Sequence, residues 1–191
     1  MTSSMKGGNS LIKKLFFIFL PIFAAGIIFS GLFSVGLSHT NEMEFCTSCH
    51  SMKITLEEYK ETIHFRNPSG VRATCSDCHV PKPFIPKMIA KVMAAKDVYH
   101  EILGTVDTKE KFDDYRWTMA SRVWEKMKST DSRECRSCHS LDTMDLAEQD
   151  RSARKRHGRA EDEGKTCIDC HKGIAHEEPD EPDEPDEKES E

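Results

Sequence analysis

The chain contains no stretch with the alternating apolar and polar pattern of a strand, which argues against a sheet-based fold. It is also short of material for an ordinary core. Only 37% of its 191 residues are hydrophobic and 31% are charged. Much of the apolar part lies in a single N-terminal run. A basic domain is lacking too. The net charge is −6, and it sits at the ends. Residues 1–14 carry Lys6, Lys13 and Lys14, whereas residues 177–191 carry ten acids against Lys188. The body between them is neutral, so no basic patch points to nucleic-acid binding. Finally, no cysteine is left outside one repeated pattern.

That pattern is Cys-x-x-Cys-His, and it occurs four times: Cys46 to His50, Cys75 to His79, Cys135 to His139 and Cys167 to His171. The cysteines are Cys46, Cys49, Cys75, Cys78, Cys135, Cys138, Cys167 and Cys170, which are all eight in the chain. This spacing is the attachment signature of c-type haem. Two thiols can each bond a vinyl group of one porphyrin, and the adjacent histidine can reach its iron. Structural zinc would need four ligands per site and would not require a histidine after every second cysteine. A thioredoxin-like redox pair would be expected once, near a βαβ pattern. Four covalently bound haem c groups are therefore expected, and they would form much of the core that the side chains cannot.

From Leu15 to Leu37 there are 23 residues without a charge, LFFIFLPIFAAGIIFSGLFSVGL. About 20 apolar residues suffice to span a bilayer as a helix. A cleaved signal peptide would have a shorter apolar core of ~7–15 residues, so an uncleaved anchor is expected. Lysines precede the segment, and Glu42 and Glu44 follow it. The positive-inside rule puts residues 1–14 in the cytoplasm. The haem motifs are then periplasmic, on the side where bacteria attach haem, and the chain belongs in the inner membrane. Gly26, Ser30 and Ser34 form a stripe of small residues that could pack a second helix, as in a homodimer. The first motif begins nine residues past Leu37, a tether short enough to hold the first haem at the membrane.

The expected organisation is a cytoplasmic N-terminus (1–14), a transmembrane anchor (15–37), a periplasmic tetrahaem domain (38–176) and a disordered Glu/Pro/Asp tail (177–191). The motifs fall into two pairs, 46–79 and 135–171, which look like a duplicated two-haem unit. His64 lies 11 residues before Cys75, and His157 lies 10 before Cys167. Helices are predicted over 53–65, ending before the turn Asn67-Pro68-Ser69-Gly70, over 86–103, and over 108–128. The second would start at Pro86 and stop at Gly104. The third carries Phe112, Tyr115, Met119, Val123 and Met127 at helical spacing, a core stripe rather than a cofactor box. The fold is expected to be mostly α with much irregular structure.

Four irons can take up to eight axial ligands. Of nine histidines, His50, His79, His139 and His171 belong to the motifs. His39, His64, His100, His157 and His176 remain. His176 follows His171 too closely to ligate the same iron from the opposite face, so it should serve another haem. His64, His157 and His176 are favoured as distal ligands. By spacing alone, Met52 is one of nine methionines and reads as a packing residue.

Several segments together resemble the membrane-anchored tetrahaem cytochromes c of the NapC/NirT group. They are Glu44–Met52, Gly70–Lys82, Ala95–Gly104 and Gly164–His176. The resemblance implies a quinol dehydrogenase that feeds periplasmic reductases, and it is closest to the type supplying nitrate reductase. It also implies that Met52 is an axial ligand of the first haem, so that His50 need not bind iron. An acid matching Asp97 and a lysine matching Lys91 are implied at the quinol pocket. The other three haems would be bis-histidine, with motif ligands His79, His139 and His171 and distal ligands matching His64, His157 and His176. His100 has no settled role, since some relatives lack a histidine there.

On this resemblance, Asp97 accepts a proton from menaquinol or ubiquinol, and Lys91 hydrogen-bonds a quinol oxygen. On a helix the two project roughly 120° apart and could flank one pocket. Lys87 and Lys96 read as contacts to anionic headgroups. Arg151, Arg154, Lys155, Arg156 and Arg159 could neutralise haem propionates, meet an acidic partner or form a solvated face. Rival functions are donation to a nitrite or other reductase, a terminal multihaem reductase, and a passive electron store. The histidine count argues against a terminal reductase, because three haems can be fully ligated.

Overall fold

The computed structural model describes residues 6–182, with side chains from Ile12 onward. Residues 1–5 and 183–191, the latter including most of the acidic tail, lie outside the described residues. Among the described residues there are eight α-helices and no strand. The mostly helical class expected from the pattern is the one observed. The chain divides into two compact units, Met1–Glu42 and Met43–Glu191.

The first unit is one helix, α1 (Lys6–His39). Its stretch Ile12–His39 has a mean hydropathy of 2.4 and is long and apolar enough to cross a membrane. None of that window is buried within the chain, and Phe17, Phe23 and Leu32 stay about 70% exposed. A helix can meet lipid on all sides because its backbone groups bond within the segment. Pro21 lies inside α1 and can donate no such bond. At the far end, His39 Nδ1 lies 3.0 Å from Glu42 Oε2.

The second unit contains α2 (Met43–Cys46), α3 (His50–Lys60), α4 (Cys75–His79), α5 (Phe84–Ile102), α6 (Lys109–Ser129), α7 (Arg133–Arg136) and α8 (Arg151–His157). Short 3-10 turns cover Leu141–Thr143 and Cys167–Asp169. Among the described residues, the only large apolar side chains that are fully buried are Tyr59, Phe112 and Ile168. Polar links between distant segments carry much of the remaining order.

Local chemistry explains where the helices begin and end. The α5 helix starts at Phe84, so Pro86 is its third residue rather than its first. The opening amides of a helix have no intrahelical partner, so proline is acceptable through the first turn. At the other end, Gly104 N donates to Glu101 O and Thr105 N donates to His100 O. Those two bonds require a left-handed residue, and Gly104 has φ +67. The α6 helix is capped by Thr108, whose side chain accepts from Lys111 N. Of its predicted stripe, Phe112 is buried, Met119, Val123 and Met127 are half-buried, and Tyr115 is exposed. The α3 helix starts earlier than the predicted 53, at His50, because a carboxylate from α5 caps it. Glu101 accepts from His50 N at 2.9 Å and from Ser51 Oγ at 2.6 Å.

Candidate haem-binding centre

Motifs two, three and four are shaped by the residues that precede them. Thr74 and Thr166 precede motifs two and four, and each is followed by Cys-x-Asp-Cys-His. In both, the aspartate three residues on accepts from the threonine amide, at 2.8 Å for Asp77 and 2.8 Å for Asp169. This reciprocal capping box winds the two cysteines and the histidine into one turn. The bonds from Thr74 hold the Asp77 carboxyl below the usual carboxylate range. Motif three follows Asp131 and Ser132, both left-handed at φ 53 and 48. Arg136 donates to the Asp131 carbonyl, and the fully buried Ser132 Oγ accepts from Ile168 N at 3.1 Å. Motif three is thereby tied to motif four.

All eight cysteines are free of disulfides. The Cys46 and Cys75 thiols hydrogen-bond each other, and Cys135 lies against Cys167 in the same way. The structure thus brings together the two motifs of each sequence pair. The bond from Cys75 holds the Cys46 thiol down to about 6, with Lys91 contributing from nearby, and pushes Cys75 up. Burial pushes Cys78 up to about 11.

Six imidazoles stand in three facing pairs. Ring centres are 6.1 Å apart for His64 and His139, 6.3 Å for His79 and His176, and 6.0 Å for His157 and His171. Two imidazoles bound on opposite sides of one metal, each by a bond of about 2 Å, stand with ring centres roughly 6 Å apart. Each pair joins one motif histidine to one histidine outside the motifs. Among the described residues, no group of three or more His, Cys, Asp or Glu could hold a bare metal ion. One pair supplies two nitrogen donors, too few for a zinc site and enough for a haem iron, whose other donors belong to the porphyrin. The residues therefore fit haem and do not fit zinc.

Residues 9–181 match the NapC/NirT cytochrome c family, N-terminal region. The chain belongs to this family. It is 58% identical over 158 residues to a tetraheme cytochrome c-type protein of Allochromatium vinosum, covering 83% of this chain and 86% of that one. It is 51% identical over 159 residues to the cytochrome c-type protein NapC of Escherichia coli, covering 83% and 80%. The denitrification system component NirT of Stutzerimonas stutzeri is 52% identical over 157 residues, covering 82% and 78%. No solved structure matches the chain. Haem c is accordingly the cofactor of this NapC/NirT cytochrome.

The surroundings of the imidazole pairs are specific. Tyr59 OH donates to His64 O at 3.0 Å and also to Ala73 O, closing the turn that carries His64. Burial lowers the pKa of His64 and of His176, which favours the neutral form a metal would bind. Their Nδ1 atoms are buried without hydrogen-bond partners. His157 ends α8, a helix capped by Asp150, and its Nδ1 lies 2.7 Å from Gln149 Oε1. That contact orients the ring and leaves Nε2 for a metal. Arg154 donates to Ala147 O and Gln149 O, bracing the same loop. Arg159 lies 3.4 Å from Glu163, while Arg151, Lys155 and Arg156 are exposed.

The first motif is arranged differently. His50 and Met52 are the first and third residues of α3. His50 is exposed, Met52 is half-buried, and His39, His50 and His100 stand outside the three imidazole pairs. His100 Nδ1 lies 3.1 Å from Thr105 Oγ1 instead. Lys91 is half-buried beside Cys46, and burial lowers its pKa. Asp97 is exposed on α5, one turn before Glu101, and so lies on the face of α5 that caps α3. Sequence reasoning missed Glu101, Glu58, Arg116, Tyr59 and Gln149 as supporting residues. Glu101 lay within a segment that resembles the family. The others act across spacings that carry no local pattern.

Proposed function

We propose that this cytochrome carries four covalent haem c groups, oxidises menaquinol or ubiquinol at the first, and passes electrons to a periplasmic reductase. In this reading α1 anchors it in the bacterial inner membrane, with the N-terminus cytoplasmic and the haem domain periplasmic. The observation that carries it is the inequality of the four motifs. Three motif histidines face a second imidazole across about 6 Å, which suits fully ligated relay centres. His50 does not join such a pair, and the lysine beside that motif, Lys91, is half-buried.

The eight motif cysteines would attach the porphyrins. His79 with His176, His139 with His64, and His171 with His157 would hold three irons, and Met52 would hold the fourth. Haem, when bound, supplies one-electron acceptors along the chain. Lys91 hydrogen-bonds a quinol oxygen, and Asp97 accepts a proton from the quinol hydroxyl. Glu101 fixes α5, which carries both residues, against the helix that bears Met52.

Nitrate reductase is the favoured acceptor, from the resemblance to donors of that type. A nitrite or other denitrification reductase is a second reading. It is favoured by the NirT relative, which matches as closely as the NapC relative. Quinol-dependent haem reduction in proteoliposomes tests the core of the proposal, and haems left oxidised by quinol would sink it. Electron delivery to purified nitrate or nitrite reductase separates the acceptors. Turnover of nitrite by the cytochrome alone would make it a terminal reductase instead.

A further inference from the structure

Arg116 on α6 and Glu58 on α3 form an ion pair with both side chains only 14% exposed. The fork is bidentate, with both nitrogen–oxygen distances at 2.6 Å. Such a pair repays its desolvation only with good geometry and further hydrogen bonds. Here the further bonds go to the backbone of one residue. Arg116 Nη2 donates to Glu177 O at 2.8 Å, and Glu177 N donates to Glu58 Oε2 at 3.1 Å. Glu177 directly follows His176 and lies 119 positions beyond Glu58. Tyr59, the neighbour of Glu58 on α3, places its ring 6.5 Å from the His176 ring. The guanidinium also sits 5.6 Å from the ring of Phe112, a side chain only 3% exposed.

His176 ends the segment that begins at motif four, yet its ring faces His79 of motif two. The five-residue connection from His171 does not dictate that position. Gly173 lies within it and supplies no side chain to anchor it. Both backbone hydrogen-bonding groups of the next residue, Glu177, are instead gripped by α3 and α6. We infer that Glu58 and Arg116 are positioning residues that hold His176 opposite His79, so that this clamp secures the distal ligand of the second haem. The inference rests on the axial-ligand reading proposed above. The pair does not touch the metal. It fixes the backbone from which the ligand projects, as outer-shell partners do at other metal sites.

The test uses the full-length holoprotein in detergent and compares Arg116→Gln, Glu58→Gln, Arg116→Lys and His176→Ala. Covalent haem content is measured by mass. Iron spin state is read by electron paramagnetic resonance and by near-infrared magnetic circular dichroism. His176→Ala should convert one bis-histidine low-spin signal to high-spin. Arg116→Gln and Glu58→Gln should give partial loss of that same signal with haem content unchanged, and added imidazole should restore it. Arg116→Lys, which keeps the charge but not the fork, should fall between wild type and Arg116→Gln. Wild-type spectra in both Gln variants, with the signal lost in His176→Ala, would overturn the clamp and leave the ligand reading standing. An unchanged spectrum in His176→Ala would overturn the ligand reading itself. If the Gln variants fail to accumulate, Arg116→Lys decides. Partial, imidazole-reversible loss of the signal supports the clamp, and an unaltered spectrum refutes it.

Discussion

Replacing Glu101 with alanine should loosen α5 from α3 and lower the stability of the haem domain. The carboxylate accepts from His50 N at 2.9 Å and from Ser51 Oγ at 2.6 Å. The first donor belongs to the opening turn of a helix, where no backbone acceptor is available. The second belongs to a residue only 4% exposed, so water cannot readily replace the lost partner. Hydrogen bonds to a charged acceptor contribute ~1.5–3 kcal/mol each, and two bonds to one carboxylate are not independent. We expect a loss of about 2–3 kcal/mol for Glu101→Ala. Glu101→Gln retains one neutral acceptor and should lose about 1 kcal/mol. For a domain of this size the alanine variant should melt roughly 4–12 °C lower, followed by far-ultraviolet circular dichroism. Ser51→Ala supplies the internal control. In that background Glu101→Ala should cost less by about 0.5–1.5 kcal/mol, because the shared bond is already gone. A melting temperature within about 1 °C of wild type, or strictly additive losses, would refute this account of the contact.

Three further outcomes can be checked. Met52→Ala should alter only the spectrum of the first haem, and changed bis-histidine signals would remove Met52 as its ligand. Asp97→Asn should slow quinol oxidation in proteoliposomes with haem content intact, and an unchanged rate would take Asp97 out of the mechanism. The third concerns pH. Asp150 accepts from Ala153 N and Ser152 N at the start of α8, which holds its carboxyl below the ordinary aspartate value. Its folded pKa is depressed, so its stabilising contribution is present above about pH 4 and is lost as pH falls through the folded value. Asp150→Asn keeps a capping oxygen but cannot titrate. It should flatten the acid-induced change in the haem spectrum tied to His157. An identical acid transition in the two proteins would show that this cap does not govern it.

The chemistry of the chain was more legible in its sequence than its internal connections. Spacing alone identified the haem motifs, the histidines outside them and the apolar run within α1. Helix ends were legible where their cause was local. Gly104 marked the end of α5 because a left-handed residue was needed there. They were less legible where the cause was distant. The α3 helix begins at His50 because a carboxylate 51 positions away receives its first amide. It stops before the predicted 65 because Tyr59 ties the carbonyls of His64 and Ala73 into a turn. Pro86 was misplaced by two residues because any position in a first turn tolerates it. Only His157 faces the histidine of the motif that follows it; the pairings of His64 with His139 and of His176 with His79 carry no sequence signal, since those residues come from different parts of the chain.

That matching bears on how the protein is built. His64 lies in the first half but faces His139 of the third motif, and His176 lies near the end of the second half but faces His79 of the second motif. With these pairs as iron ligands, neither half can complete its own set. During synthesis the second motif would emerge long before its other ligand exists, and that iron would wait for a residue 97 positions further on. A chain stopped short of His176 would leave that centre unfinished although its motif was complete.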